Sequence, residues 1–62
     1  MKQNQFYKIR VNLHNNILTY NAKILSIDNH FVSFKDDRGK TWSYNLNIIL
    51  SYVAILESDF NG

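Results

Sequence analysis

Three groups of side chains in this 62-residue chain have types and spacings that could do chemistry. Asp28, Asn29 and His30 stand together inside the apolar stretch SIDNHFVSF, Asp36 and Asp37 are adjacent, and Lys8, Arg10, Asn12 and His14 recur at every second position. An aspartate beside a histidine, or a pair of aspartates, serves general acid and base catalysis when an enclosed pocket moves the pKa values and excludes water. A chain this short buries only about 60% of its unfolded surface and has little volume for such a pocket. It also has no glycine-rich phosphate loop, no cysteine and no serine in a nucleophile-elbow context. The expectation is a binding protein, not an enzyme, with no catalytic residues.

Metal chemistry is equally short of ligands. Asp28 and His30 would share a face of a regular strand, but the only imidazoles are His14 and His30 and no thiolate is available. No metal and no cofactor is expected. Aspartate and asparagine bond nearby backbone amides and so favour turns, which makes Asp28-Asn29-His30 a link between two strands, with His30 an exposed loop residue. Asp36-Asp37 reads as turn chemistry for the same reason.

The cations carry more information. Net charge is only +2, but residues 1–27 hold Lys2, Lys8, Arg10 and Lys23 and no acid, whereas the rest of the chain holds three bases and all five acids. Lys8, Arg10, Asn12 and His14 are expected along the outward face of a first strand, Lys23 on a second, and Arg38 and Lys40 at a hairpin. Such groups meet phosphates, and an exposed Phe31 or His30 stacks on an unpaired base. A plain solvated face is the competing reading.

These side chains are positioned by strands. Ile9, Val11 and Leu13 alternate with polar residues, the two-residue period of a half-buried strand, and Asn15-Asn16 supplies a turn. Leu18, Tyr20, Ala22 and Ile24 alternate next, then the phase slips so that Leu25 and Ile27 fall on the other parity, which predicts a bulge or bend near Leu25. Val32 and Phe34 alternate in a third strand, DDRG forms a hairpin with Gly39 in the left-handed position, and Trp42, Tyr44 and Leu46 share a face of a fourth. A short turn over 47–50 and a strand over 51–56 complete the set. In that last strand Val53 and Ile55 are assigned to the core, and Tyr52, Ala54 and Leu56 to an outer apolar face that meets the segment around Phe6 and Tyr7 or a second copy of the chain. The expected core is Ile9, Val11, Leu13, Leu18, Ala22, Ile24, Ile27, Val32, Phe34, Trp42, Tyr44, Val53 and Ile55. The fold class is all-β: one domain, a small five-stranded antiparallel SH3-like barrel, with residues 1–7 as an N-terminal extension and 57–62 as a C-terminal tail.

The order of these features, VNL, a turn, a long bent strand ending in SID, an HFV strand, a hairpin, then SYNL and a last strand, resembles the Sm-like family and its bacterial Hfq branch over residues 8–56. The resemblance implies a ring whose central pore holds single-stranded bases between the loop after the second strand and the turn before the fifth. Those elements fall on Asp28, Asn29 and Phe31, with His30 as an extra residue, and on Tyr44, Asn45 and Leu46, where Hfq has Tyr-Lys-His. Only the tyrosine matches there. The glycines of Sm-like strands are replaced around Asn16 and Asn21, and residues 1–7 are too few for the N-terminal helix of Hfq.

Two functions from different classes follow. The first is an Sm-like regulatory module that binds single-stranded RNA through Lys8, Arg10, Lys23, Asn29, His30, Phe31, Arg38, Lys40 and Asn45 and self-associates through Tyr52, Ala54 and Leu56. The second is a protein-interaction module of the same shape, docking on a larger partner. The N-terminus is polar and no stretch approaches the ~20 apolar residues of a membrane span, so a cytoplasmic location without membrane contact is expected. The thin core and the lack of cysteine leave self-association as the available source of added stability.

Overall fold

The structure, a computed structural model, describes residues 1–61. Five antiparallel strands form one sheet: β1 (Phe6–Leu13), β2 (Asn16–Ile27), β3 (Phe31–Asp36), β4 (Thr41–Asn45) and β5 (Ile49–Ala54), in the order β4-β3-β2-β1-β5. A 3-10 turn over Leu46–Ile48 joins β4 to β5, and a short helix α1 (Glu57–Asn61) follows. The all-β class and strand count agree with the sequence reading. The sheet is not closed, because β4 and β5 are its two edges.

The core follows the alternation. Ile9, Val11, Ala22, Ile24, Val32 and Phe34 are completely buried, with Tyr7 and Tyr44 nearly so. Tyr20, Phe34, Trp42 and Tyr44 form an aromatic cluster in which the Tyr20 and Tyr44 hydroxyls lie 2.6 Å apart and Trp42 stacks parallel to Tyr44. Burial, and then the Tyr20 hydroxyl, push the Tyr44 phenol far above its ordinary range. The β2–β3 register shifts between Ile24 and Ser26, the bulge that the phase slip at Leu25 demanded. A second shift, between Arg10 and Val11 against β5, leaves Leu50 without a register partner on β1.

Several expectations are corrected. The first turn is His14-Asn15, both at positive φ (52° and 65°), so His14 sits in a tight hairpin turn and not on the strand face. Leu18 is 37% exposed because β2 reaches past β3, whose pairing begins only at Ala22. The last strand begins two residues earlier than expected and its faces are exchanged. Tyr52 lies opposite Ile9 and Ala54 opposite Tyr7, on the parity of the core, and Val53 lies opposite Lys8, yet all three are exposed at this sheet edge, Tyr52 to 53% and Val53 to 59%. Ile55 is only half-buried. Parity told the two faces apart, but both were apolar, so only the pairing with β1 decides which one shares the side of the core, and at the edge neither is buried.

Both chain ends are tied to the sheet. Asn4 donates to the Ile24 carbonyl at 2.8 Å and Ile24 to that of Gln5 at 3.0 Å, at the bulge. Ile55 donates to the Phe6 carbonyl, and Phe60 of α1 packs on Phe6 with ring centroids 5.1 Å apart. Among the described residues no helix is long and apolar enough to cross a membrane.

Candidate nucleic-acid interface

The aspartate of the Asp28-Asn29-His30 trio builds a turn. Its carboxylate accepts from the backbone amides of His30 (2.7 Å) and Phe31 (2.8 Å), while its own amide donates to the Phe31 carbonyl. Those bonds, His30 first, hold the Asp28 carboxyl below its usual range. Both amides share one oxygen, Oδ1, so the side chain is committed to shaping the turn. Among the described residues no three His, Cys, Asp or Glu side chains come together as metal ligands.

The turn does bring several of the candidate residues together. The His30 carbonyl accepts from the Leu46 amide at 2.7 Å, and Phe31 lies directly opposite Asn45 in the β3–β4 ladder. His30 and Phe31 therefore sit against the junction of β4 with the 3-10 turn, which is capped by Asn45 Oδ1 accepting from the Asn47 amide, and Asn29 precedes them as an exposed residue of the turn. Phe31 is 50% exposed, with its side chain on the outer parity of β3 together with Ser33 and Lys35.

The outer face of the sheet is basic. Lys8 and Arg10 alternate with buried residues of β1, and Lys23 stands on β2 beside Phe6, its Nζ 5.9 Å from that ring. Lys23 lies directly opposite Lys35 of β3, and Lys8, opposite Asn21, is its diagonal neighbour. Like charges directly opposite each other across a ladder are destabilising. Lys35 was not singled out from the sequence. The alternation of FVSFK put it on the face of Phe31, but its pairing with Lys23 depends on the bulge register.

Arg38 and Lys40 belong to the β3–β4 hairpin, where Lys40 Nζ lies 4.4 Å over the Trp42 ring. Asp36 organises that turn. Its buried carboxylate accepts from Trp42 Nε1 (2.8 Å) and from the amides of Arg38 and Lys40 (2.9 Å each), and Gly39 takes the left-handed φ of 84° that the turn needs. The indole bond, ahead of the two amides, holds the Asp36 carboxyl below its ordinary value. A lowered folded pKa contributes stability above the unfolded value of about 3.9 and loses it as pH falls through the folded value. Urea denaturation at neutral pH and below pH 4 is expected to show that loss. Asp36→Asn is expected to be less stable than the parent at neutral pH and to lose less on acidification. An Asp36→Asn protein with the parent's pH profile would show that other carboxylates, Asp28 first among them, govern acid unfolding.

Comparison with protein-family models, with curated proteins and with solved structures found no match to this chain.

Proposed function

We propose that this chain is a non-enzymatic binding module of the Sm-like kind that holds single-stranded RNA, with bases at the rim and phosphates on the outer face. The observation that carries the reading is the junction of the β2–β3 turn with the end of β4, where His30 is bonded to Leu46 and a half-exposed Phe31 faces Asn45. An aromatic ring beside amide side chains suits an unpaired base, which offers one π-face and hydrogen-bonding edges. Lys8, Arg10, Lys23 and Lys35 supply the charge that tracks a phosphate backbone.

Phe31→Ala is expected to cost about 1 to 3 kcal/mol of affinity for single-stranded RNA and to leave the salt slope unchanged, because stacking releases no counterions. Fluorescence anisotropy over a salt series checks this, with circular dichroism confirming the fold. A folded Phe31→Ala protein that binds like the parent would rule out the rim as a base site.

Self-association through β5 belongs to the same proposal. This strand is a sheet edge; of the expected contact residues Tyr52 is 53% exposed, Ala54 is exposed and Leu56, just beyond the strand, is 70% exposed, Val53 adds a further 59% exposed apolar side chain, and a groove of about 560 Å³ lined by Met1, Ile27, Leu46, Ile49 and Tyr52 runs beside it. Bare apolar edges pair with other chains. Light scattering over a concentration series is expected to show a mass above the monomer that Tyr52→Lys reduces; a monomer at all concentrations would refute it.

The same apolar strand favours a second reading, docking on a larger protein partner. A salt-tolerant complex with one protein and no RNA affinity would select it, whereas nuclease-sensitive, salt-sensitive capture selects the first.

A further inference from the structure

We propose that the cleft between the two hairpins is a second nucleotide site, which takes one unpaired nucleotide of the bound strand. It rests on the RNA-binding reading above. β2 continues beyond the last β3 pair, Ala22 with Asp36, so the β1–β2 hairpin and the β3–β4 turn stand apart and leave a half-open cleft of about 430 Å³. That volume lies within the roughly 300 to 1,000 Å³ of small-ligand sites.

The walls carry the three kinds of group that a nucleotide needs. Tyr20 and Trp42, both half-buried members of the core cluster, line it with aromatic surface, and a base stacks on Trp42 only by displacing Lys40 from over its ring. Lys8 and Arg38 supply cations for its phosphate from opposite hairpins. Asn21 and Asp37, 3.4 Å apart across the cleft, supply donors and an acceptor for base edges and ribose hydroxyls. The Arg38 wall is held in place, because Asp36 bonds its amide, that of Lys40 and the Trp42 indole together. Asp36 thereby has both oxygens engaged within the hairpin; it and Asp37 balance the charges of Lys8 and Arg38, so the cleft favours a nucleotide held by its base over a bare polyanion.

Lys8 belongs both to this cleft and to the basic outer face, so a backbone laid over Lys35 and Lys23 leads into it. The rim lies at the other end of the same ladder. Ile27 and Val32 pair at the rim end and Ala22 and Asp36 at the cleft end. Four rises along the unbulged β3, from Val32 to Asp36, separate the two, about 13 Å at 3.3 to 3.4 Å per residue. One single strand crossing the outer face would meet a base site at each end of the basic strip.

Trp42 is the only tryptophan in the chain, so its emission reports on the cleft. The test titrates the full chain with oligoadenylate RNA, with ATP and with inorganic polyphosphate, reading emission and, for labelled RNA, anisotropy. Oligoadenylate is expected to change Trp42 emission with the same midpoint as the anisotropy, ATP to do so more weakly, and polyphosphate, which lacks a base, to leave it unchanged. Arg38→Ala and Asn21→Ala, folded by circular dichroism, should each weaken RNA binding about tenfold and shrink the emission change, while Phe31→Ala should keep it. RNA that binds by anisotropy without altering emission, and with parental affinity for both cleft variants, would overturn the cleft and leave the RNA reading standing. A response to ATP but not to RNA would overturn the strand-borne nucleotide. No RNA binding by anisotropy would remove both.

Discussion

Phe34→Ala is expected to leave the chain largely unfolded at ambient temperature. Phe34 is completely buried on β3, with the Tyr20 ring 5.3 Å and the Tyr44 ring 6.0 Å from its own. Truncating such a residue costs about 3 to 5 kcal/mol, the lost transfer energy plus the cavity left behind. A domain of this length has about 3 to 9 kcal/mol in total, at 0.05 to 0.15 kcal/mol per residue. The cavity would also open beneath the Tyr20–Tyr44 hydroxyl pair, which leans on the same ring. Thermal melts followed by circular dichroism check this. Phe34→Leu keeps most of the apolar volume and should melt cooperatively at a temperature between parent and Phe34→Ala. A Phe34→Ala protein that melts within a few degrees of the parent would mean that the aromatic cluster closes over the gap, and that the core is less constrained than its burial implies.

How far the sequence foretold this core depends on which signal each element carried. The alternation through Ile9, Val11, Ala22, Ile24, Val32 and Phe34 was legible because each strand had one apolar and one polar face. The phase slip at Leu25 was legible as a bulge for the same reason, since a strand cannot turn both parities inward without an extra residue. DDRG was legible because Gly39 meets a backbone requirement that few other residues meet. On β5 the signal failed, since Tyr52, Val53 and Ala54 offer apolar side chains in both directions. His14 was misplaced by a single residue, because histidine has no strong turn preference and the neighbouring asparagines drew the turn toward themselves. The Asp36–Trp42 bond was out of reach, although the DDRG signal found the turn it stabilises.

The candidate site shows the same division. Residue types suggested phosphate and base chemistry as a proposal, but adjacency came only with register. His30 and Phe31 meet Leu46 and Asn45 because β3 pairs with β4 in one particular alignment. Lys8 and Arg38, 30 positions apart in the chain, line one cleft because β2 outruns β3. Lys40, by contrast, is drawn over Trp42, away from the strip formed by Lys8, Lys23 and Lys35.

That strip leads to the prediction with the largest expected effect on binding. Lys23 and Lys35 face each other across the ladder with Lys8 on the diagonal, an arrangement that burdens the free protein at low salt. A bound polyanion reverses the sign of that burden. Neutralising all three (Lys8→Gln, Lys23→Gln, Lys35→Gln) should flatten the dependence of log affinity on log salt by about 0.7 per lost phosphate contact, and at low salt lower RNA affinity by at least about tenfold. The same change at Lys35 alone should stabilise the free protein by about 0.2 to 1 kcal/mol at low salt, an effect that added salt removes. Lys35 is the better single probe, because the Lys23 side chain also lies over the Phe6 ring and its loss mixes packing with charge. Stability that rises while affinity falls is the mark of a face arranged for a ligand and not for the fold. If the triple variant binds RNA with the parent's salt slope, the strip is a solvated surface, and the phosphates, if any are held, lie with Arg38 and Lys40 at the hairpin.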